Sequence, residues 1–583
     1  MRGLHALLAL GLVGVGLAAA CGTEVPDSTL PGEPDASTSS ETAPPILPGE
    51  AGADPDAQTL SIEPVDPVLT FVSGQPAPTV TFVGRSGAGV QVPATFTVDR
   101  GEIGAVGLSS GLFGGKAKVT ASWNGKTAST TVTVKLQLTQ NGASEPADAG
   151  ADGGGAGGYG GVGGEGPGGP VDAATATVLK GTPQADAGLN FLYPYDKTVW
   201  PRGILAPLLQ WAPGAQGDYD AVLLKITEDA FSYEGTFAKT ATPFTHHPIP
   251  QQVWKQMLAS NQGEEVTVSL TFAKGGAAYG PIVEKWKIAS APLKGIVYYN
   301  SYGTRLAKNY GGAIGGDGRF GGATLGIRGG STDPVLVAGG DGDSTYCRVC
   351  HSVAANGSVL ITQRRLGGDR RFSTYDLKTG AETTMSPEGG NATTTLARYA
   401  WPAIYPDGSL FLGDSSPADG SSNAPNELYQ VVSGAGPVTP TKVAATGWPT
   451  GFRAALPAFS PDGKHLAFTM FAGATGADGR TLGVLGFDKA TSAFSGLTAL
   501  YTPPDAAHTA VYPSFLPTND AIVFEVETRY NTRDFGGTRA DADVAPPDAR
   551  ASRGTRAELW WIDLKTKTPR RLDVLNGKGY LPT

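Results

Sequence analysis

The feature that most constrains the fold of this chain is an internal repeat in its C-terminal half. Pro402-Ala-Ile-Tyr-Pro-Asp-Gly recurs 55 residues later as Pro457-Ala-Phe-Ser-Pro-Asp-Gly, and a weaker copy begins after 56 more residues at Pro513. Each copy precedes a short apolar run, and Pro-Asp-Gly favours a tight turn between two strands. Because one such unit cannot bury both faces of a small sheet, neighbouring units must stack. The repeat therefore predicts a β-propeller.

The run Phe459-Ser-Pro-Asp-Gly-Lys-His-Leu-Ala-Phe468 closely resembles the TolB-like propeller repeat, in which Ser-Pro-Asp-Gly is the hallmark. The resemblance covers residues 293–583 and implies a C-terminal TolB-like β-propeller, with five visible units. Gly295-Ile-Val-Tyr-Tyr299 is expected to open the first blade. Gly579-Tyr-Leu-Pro-Thr583 looks like the entry into another repeat. Either an N-terminal strand closes the ring, or the sequence is a truncated reading frame.

Two further β-rich segments precede the propeller. Residues 59–137 carry short alternating runs such as Thr130-Thr-Val-Thr-Val134, which predict an Ig-like β-sandwich. Within them, residues 111–123 resemble the later strands of bacterial Ig-like domains. Residues 176–292 predict a second Ig- or fibronectin-like β-sandwich, with a helical turn over 251–260. The expected fold class is therefore all-β.

The remaining segments have the composition of linkers. Residues 22–58 are rich in Pro, Asp, Glu, Ser and Thr and predict a disordered tether, whereas residues 138–175 predict a Gly-rich flexible linker. A formal net charge of −9 and a pI near 5.3 argue against a nucleic-acid or anionic-membrane surface as partner.

Residues 1–21 have the pattern of a lipoprotein signal peptide. Arg2 precedes an apolar run, and Leu17-Ala-Ala-Ala-Cys21 resembles a lipobox. Cleavage there would leave Cys21 as an acylated first residue that anchors the protein to a membrane. Gly22 in place of Asp favours, by resemblance to enterobacterial lipoproteins, the outer membrane of the cell envelope, with the protein facing the periplasm or the surface. Plain secretory cleavage near Cys21 is the alternative.

Cys347-Arg-Val-Cys350-His351 is the attachment motif of covalent haem c, in which the two thiols form thioethers and the histidine ligates iron. In the repeat register, His351 takes the place of Pro402 and Pro457, near the mouth of the central channel.

Met385 and His508 are the candidates for a sixth iron ligand, because both are expected in loops on the same face as Cys347. A structural Cys347–Cys350 disulfide, a redox-active dithiol and a zinc site are the alternatives to haem. No further metal site is expected. His246 and His247 are predicted to be surface imidazoles in a loop, because no third ligand is in register.

These observations favour a protein that is not an enzyme. The first hypothesis is a cell-envelope lipoprotein whose propeller binds or scaffolds an envelope protein or another ligand. The second is an electron-transfer or redox-sensing protein with haem at the Cys-x-x-Cys-His motif. The third hypothesis is a hydrolase that uses the channel mouth. It has the least support, because no nucleophile elbow, zinc-binding helix motif or phosphate loop is present.

Overall fold

The structure is a computed structural model. The chain divides into Met1–Asp54 and Pro55–Thr583, and all described residues belong to the second unit. The fold class is all-β, as predicted. The structure describes residues 59–103, 113–143, 168–240, 242, 244–304, 306, 321–330, 334–339, 348, 351–363, 372–385, 400–414, 426–472, 479–506, 508–529 and 556–576.

Strands of the first segment alternate between buried and exposed residues, as one half of a β-sandwich requires. Strands β6 and β7 form a hairpin around Asn124-Gly125, whose φ angles of 45° and 73° are those of a two-residue hairpin turn. The elements are β1 (Leu60–Glu63), β2 (Val68–Val72), β3 (Val83–Ser86), β4 (Gln91–Val92), β5 (Thr95–Val98), a 3-10 turn (Gly101–Ile103), β6 (Gly115–Trp123) and β7 (Lys126–Asn141).

In its described residues, the second segment adds eight strands and two helices. Helix α2 occupies residues 251–260, where the sequence predicts a helical turn, and that prediction is confirmed. The elements are α1 (Ala173–Lys180), β8 (Asn190–Tyr193), β9 (Val199–Arg202), β10 (Leu208–Ala212), β11 (Ala221–Glu228), β12 (Phe231–Ala238), β13 (His246–Pro248), α2 (Gln251–Ser260), β14 (Val266–Lys274) and β15 (Ala277–Pro292).

The two segments share one sheet. Residues 136–141 of β7 pair in parallel with residues 231–236 of β12. This pairing gives a nine-stranded sheet in the order β5-β6-β7-β12-β11-β14-β15-β9, in which β2 also pairs with β7. The predicted linker over 138–175 therefore begins inside β7, and helix α1 occupies its end from Ala173. One hydrophobic core runs through both segments.

Three tryptophans mark the centre of the second segment's core. The rings of Trp200, Trp254 and Trp286 meet edge to face, with centroid separations between 5.8 and 6.4 Å. Aromatic pairs prefer this geometry, because the positive ring edge meets the negative ring face. The cluster ties helix α2 to strands β9 and β15.

Among the residues described after β15, five antiparallel sheets follow and are called blades 1 to 5 in chain order. In the described residues blade 1 has three strands, and blades 2 to 5 have four each. The strands are β16 (Ile296–Thr304), β17 (Gly321–Arg328) and β18 (Val335–Ala338) in blade 1; β19 (Ser352–Val353), β20 (Val359–Gln363), β21 (Phe372–Asp376) and β22 (Glu382–Thr384) in blade 2; β23 (Ala400–Ile404), β24 (Leu410–Asp414), β25 (Glu427–Gln430) and β26 (Lys442–Val443) in blade 3; β27 (Arg453–Phe459), β28 (His465–Ala472), β29 (Thr481–Asp488) and β30 (Ala493–Tyr501) in blade 4; and β31 (Thr509–Phe515), β32 (Ala521–Arg529), β33 (Arg556–Asp563) and β34 (Pro569–Arg571) in blade 5, which helix α3 (Asp573–Asn576) follows.

The first strands of blades 2 to 5 contact one another in succession, β19 with β23, β23 with β27 and β27 with β31. In a propeller the first strands are innermost and line the axis. The predicted C-terminal propeller is confirmed as a fold class, and the part of it that the structure describes contains five blades, the first of which begins with β16 at Ile296.

The repeated turns connect neighbouring blades to each other. The Asn356 side-chain amide donates to the Asp407 carbonyl at 2.9 Å, and the Asp462 backbone N–H donates to Asn519 Oδ1 at 2.9 Å. Lys489 forms an ion pair with Asp407. The hallmark turn of each repeat is therefore also a contact between blades.

The second segment is fastened to both ends of the blade array. The backbone N–H of Leu293, just before blade 1, donates to the Arg202 carbonyl at 2.7 Å. The Tyr195 hydroxyl donates to the carbonyl of Leu575 in α3, at 3.3 Å. The strands around residues 195–202 thus contact the first and last parts of the propeller.

Candidate functional site

The innermost strands of blades 3, 4 and 5 share an irregularity at one position. The pairing register shifts between Ala400 and Ala403, between Ala455 and Ala458, and between Val511 and Ser514. Each shift spans a residue followed by the first proline of the repeat. A β-bulge of this kind bends the strand and re-aims a side chain.

At two of these bulges a bulky residue has a left-handed backbone. Leu456 has φ 51° and Tyr512 has φ 50°, a conformation that costs a non-glycine residue about 1–2 kcal/mol. The two side chains belong to one apolar cluster with Ala455 and Val511. Strained backbone persists where surrounding structure enforces it, and such positions concentrate at binding and active sites.

In blade 2 the corresponding position is the Cys350-His351 peptide, and His351 lies against blade 1. The imidazole Nδ1 lies 2.7 Å from Asn300 Oδ1 on β16. Burial lowers the pKa of His351 to about 4, although a ring hydrogen bond to the Tyr298 carbonyl acts in the opposite direction. The imidazole is therefore neutral at pH 7, as an iron or zinc ligand must be.

Arg348 lies between the two cysteines in sequence and is fully buried. Its Nε donates to the Tyr375 hydroxyl at 2.9 Å, and its Nη2 to Glu382 Oε1 at 3.3 Å. The same carboxylate oxygen accepts the Ser373 hydroxyl at 2.6 Å. These bonds supply the pairing that a buried guanidinium needs.

Three of the junctions between blades, 1 with 2, 3 with 4 and 4 with 5, repeat one hydrogen bond in the described residues. At each of them, the backbone carbonyl three residues before His351, Pro457 or Pro513 accepts a hydrogen bond from a side chain of the preceding blade. Thr324 Oγ1 donates to the Arg348 carbonyl at 3.2 Å, and Thr469 Oγ1 donates to the Ala510 carbonyl at 2.8 Å. In blade 4 the corresponding Ala454 carbonyl accepts Asn426 Nδ2 at 2.9 Å. Only the junction of blades 1 and 2, among these three, has an arginine at that position.

Three of the predicted site residues, Cys21, Cys347 and Cys350, lie outside the described residues. Met385 follows β22 at the outer edge of blade 2, whereas His351 precedes β19 at its inner edge. Three strand spacings separate these edges, about 14 Å. The Met385 side chain is 2% exposed and packs in the core between blades 2 and 3.

His508 precedes the first strand of blade 5, and its Nε2 lies 3.8 Å from Asp505 Oδ2. Blades 3 and 4 come between this residue and the blade of His351 in chain order. Within the described part of the chain, no hydrogen bond or ion pair joins His351 to His508. In the described residues, therefore, no direct contact joins His351 to either predicted sixth ligand, Met385 or His508.

The expected surface location of His247 is wrong. His247 pairs with buried Leu209 in the sheet β13-β10-β8 and has no exposed surface. Its ring lies 4.6 Å from that of Phe237 and 6.5 Å from that of Phe244. A short strand therefore replaces the predicted loop, and it turns this imidazole into the aromatic core.

Arg348, Glu382 and Asn300 are residues of this site that the sequence did not lead us to predict. The repeat register offered a signal for the first of them, since Arg348 stands where blades 4 and 5 have Ala454 and Ala510. A charged residue at an otherwise small apolar position predicts a buried partner. The partners themselves come from other strands, so spacing alone could not identify them.

The described residues contain no group of three or more His, Cys, Asp and Glu side chains that could hold a metal ion. The helices among them include none with the length and apolar character that a membrane crossing requires.

No protein-family model and no curated protein matches the chain. Solved structures similar to it include TolB from Acinetobacter baumannii, with 13% identity, a TM-score of 0.29 and coverage of 56% of this chain and 71% of that one. An oligogalacturonate lyase in complex with manganese has 12% identity, a TM-score of 0.25 and coverage of 48% and 66%. A structure from work on two prolyl endopeptidases has 13% identity, a TM-score of 0.25 and coverage of 48% of this chain and 49% of that one. These similarities are too weak to assign a family or a function.

Proposed function

We propose that this protein is a cell-envelope lipoprotein whose propeller binds an envelope partner at the inner-strand bulges. The observation that supports the proposal most is the left-handed backbone at Leu456 and Tyr512, which recurs at one repeat position. A single strained residue could be incidental. Recurrence in adjacent blades means that the sequence bears this cost twice, at positions on the innermost strands of the propeller.

The chemistry of these positions suits an apolar contact with a polar handle. Leu456 is 6% exposed, Tyr512 is half-buried, and the two pack together. Tyrosine is enriched at interfaces because a large apolar ring carries a hydroxyl that can hydrogen-bond. Ser514, two residues after Tyr512, is exposed on the same strand.

The rest of the chain supports a scaffolding role. Lipidation at Cys21 would anchor the protein, residues 22–58 would act as the tether, and the shared nine-stranded sheet would act as a spacer. The spacer contacts the propeller at Leu293 and again at Leu575. A partner bound at the propeller would then be held at a set distance from the membrane.

Binding is tested by capturing partners from a solubilised envelope with the tagged full-length protein, followed by affinity measurement with the purified partner. Tyr512→Ser should weaken binding by tenfold or more, a loss of about 1.4 kcal/mol. Tyr501→Ser is the matched control. Tyr501 is also half-buried, but it lies in β30, the last strand of blade 4, and stacks on Trp560 of blade 5. Equal affinities for the two variants would reject binding at the bulges.

Anchoring is tested separately. Cys21→Ser should move the protein from the membrane pellet to the soluble fraction, and mass spectrometry of the wild-type N-terminus should show an acylated Cys21. A Cys21→Ser protein that stays in the membrane fraction would contradict lipid anchoring without affecting the binding result.

A second candidate function is electron transfer or redox sensing through covalent haem. It is supported by the hydrogen bond between His351 Nδ1 and Asn300, since metal-ligating imidazoles are usually oriented by such a bond. Cys347 and Cys350 would hold the porphyrin, His351 would ligate iron, and the group would supply one-electron chemistry. A haem stain after expression with c-type maturation machinery tests this. Signal lost in Cys347→Ala and Cys350→Ala supports haem, whereas an unstained wild-type protein rejects it.

A further inference from the structure

We propose that Glu525 is a binding residue of the propeller, and that the partner presents a cation to its carboxylate, either the ammonium of a lysine or the guanidinium of an arginine. This inference rests on the proposed function, because it specifies the chemistry of the partner bound at the bulge of blade 5. Glu525 lies on β32, directly opposite Val511, and Val511 is the residue before Tyr512 in that bulge.

The neighbours of Glu525 in the sheet are apolar. It pairs with Val511 of β31 on one side and with Leu559 of β33 on the other, and directly opposite residues have Cβ atoms about 5 Å apart on one face. Val511 is fully buried and belongs to the apolar cluster of Leu456 and Tyr512. The half-buried carboxyl group therefore lies beside the cluster that forms the proposed binding site.

The Glu525 side chain makes no hydrogen bond and no ion pair in the described part of the chain. Glu527 is the charged neighbour on the same face of β32, and Arg570 belongs to β34, two strands away. The residues around Glu525 on the two adjacent strands are uncharged, namely Thr509, Val511, Ser514, Ala557, Leu559 and Trp561. Burial accordingly raises the pKa of Glu525 to about 7. The carboxylate is thus available to a cation from outside the blade.

Blade 4 shows what the repeat places at this position. Counted from the first proline of the repeat, Val511 and Glu525 correspond to Ala455 and Thr469, which form the same pair. The buried Thr469 hydroxyl donates to the Ala510 carbonyl in the next blade at 2.8 Å. An ionised carboxylate has no hydrogen to donate and can only accept. The glutamate therefore suits a neighbour that offers a donor where blade 4 meets an acceptor.

A lysine or arginine matches both parts of this environment. Its charged head compensates the carboxylate, and charge-assisted hydrogen bonds are about twice as strong as neutral ones. Its aliphatic stem can pack on Val511 and Leu559 while the head reaches the acid. A neutral donor would leave the negative charge uncompensated in an apolar setting. Charge complementarity thus favours a cationic side chain of the partner.

The purified envelope partner is titrated into the full-length protein at pH 6 and pH 8. For the wild type, affinity should rise about tenfold between these values, because the carboxyl ionises as the pH passes through its pKa of about 7. Glu525→Gln should bind about tenfold more weakly at pH 8 and lose this pH dependence. Acetylation of the lysines of the partner should abolish the effect of Glu525→Gln if the cation is an ammonium, and should preserve it if the cation is a guanidinium.

Glu558→Gln is the matched control. Glu558 pairs with Val526, which packs against blade 4, so it lies on the opposite face of blade 5. It already has a counter-charge, since Arg571 lies 2.9 Å away. This variant should bind within about twofold of the wild type at both pH values. Melting temperatures show whether both variants are folded before their affinities are compared.

A small probe tests the carboxyl group without the partner. The titration midpoint of Glu525 is read from its carbon-13 carboxyl resonance, which is identified by its absence in Glu525→Gln. The probes are n-butylammonium and n-butylguanidinium chloride, compared with sodium chloride at equal ionic strength. Either organic cation should lower the midpoint by about 0.5 pH unit or more, because a nearby opposite charge favours the ionised form.

Equal affinities of the wild type and Glu525→Gln at pH 8 would overturn the inference, whereas the proposed function would still stand if Tyr512→Ser weakened binding. If no partner binds, the proposed function fails, and the probe titration then decides the inference by itself. An unchanged midpoint in both organic cations would overturn it.

Discussion

The backbone N–H of Asp462 in blade 4 donates to the side-chain carbonyl of Asn519 in blade 5, at 2.9 Å. Asn519 has φ 65°, and asparagine is among the few non-glycine residues that accept this conformation readily. The residue therefore closes its own turn and connects it to the preceding blade.

Asn519→Ala should lower the free energy of unfolding by about 2 kcal/mol, from one lost hydrogen bond and from an alanine forced into the left-handed region. Asn519→Gly should lose only the hydrogen bond, about 1 kcal/mol. Denaturant unfolding of the two variants measures both terms. Equal losses would mean that backbone conformation contributes nothing at this turn.

The glycines of two equivalent turns should respond differently to alanine. A Cβ on Gly357, in blade 2, meets no heavy atom within 4 Å, whereas a Cβ on Gly463, in blade 4, would collide with the Tyr405 ring and hydroxyl. Both glycines have left-handed φ, near 70°. Gly357→Ala should therefore cost about 1 kcal/mol, and Gly463→Ala should cost clearly more, by about a further 1–3 kcal/mol. Thermal unfolding would refute the steric account if the two variants melted together.

A turn shared by blades 2 and 5 allows the opposite test, in which glycine is introduced rather than removed. Asp376-Leu-Lys-Thr-Gly380 and Asp563-Leu-Lys-Thr-Lys567 form the same turn, in which the last residue donates to the Asp carbonyl at 2.7 and 2.8 Å. Gly380 has φ 76°, and Lys567 has φ 53°. Lys567→Gly should stabilise the protein by about 1 kcal/mol, because it relieves left-handed strain at an exposed site. A lower melting temperature than wild type would count against this.

The turn between β11 and β12, where Glu228 lies, should make the stability of the protein sensitive to pH. Burial raises the pKa of Glu228 to about 7, and nearby Glu264 and Asp229 raise it further, against the backbone N–H of Ala230. The folded state thus prefers the protonated acid. Its stabilising contribution is complete below pH 4.5 and is lost as the pH rises through 7. With a discount for partial solvent screening, the loss is about 1–2 kcal/mol.

Glu228→Gln should remove that part of the pH dependence, and unfolding curves between pH 5 and pH 8 compare the variant with wild type. Glu63→Gln, at an exposed position of β1, is the control and should leave the wild-type profile unchanged. A wild-type profile in Glu228→Gln would assign the pH dependence to other groups.

The propeller could be predicted because its signal is local and repeated. Pro-Asp-Gly sets a turn within four residues, so Gly408 and Gly463 have the left-handed φ that such a turn needs. The shared sheet could not be predicted in the same way. The parallel pairing of Leu136 with Phe231 joins residues far apart in sequence, and an alternating pattern does not specify which strand will be its neighbour.

The site shows the same division. The sequence identifies the position of His351 in the repeat, but its contact with Asn300 depends on how two blades meet. The burial of Arg348 depends on Glu382, from a strand later in the same blade. Long-range polar pairing leaves no periodicity in a single sequence, and so these contacts emerge only from the structure.

Binding at the inner-strand bulges is tested most directly by photocrosslinking in intact cells. A benzophenone amino acid replaces Tyr512 in one strain and Tyr501 in a second, and the irradiated products are separated by mass. We expect one discrete envelope adduct from position 512, competed by excess purified partner, and none from position 501. Adducts of equal yield from both positions, or none from position 512 while the protein is folded and anchored, would contradict the proposed site.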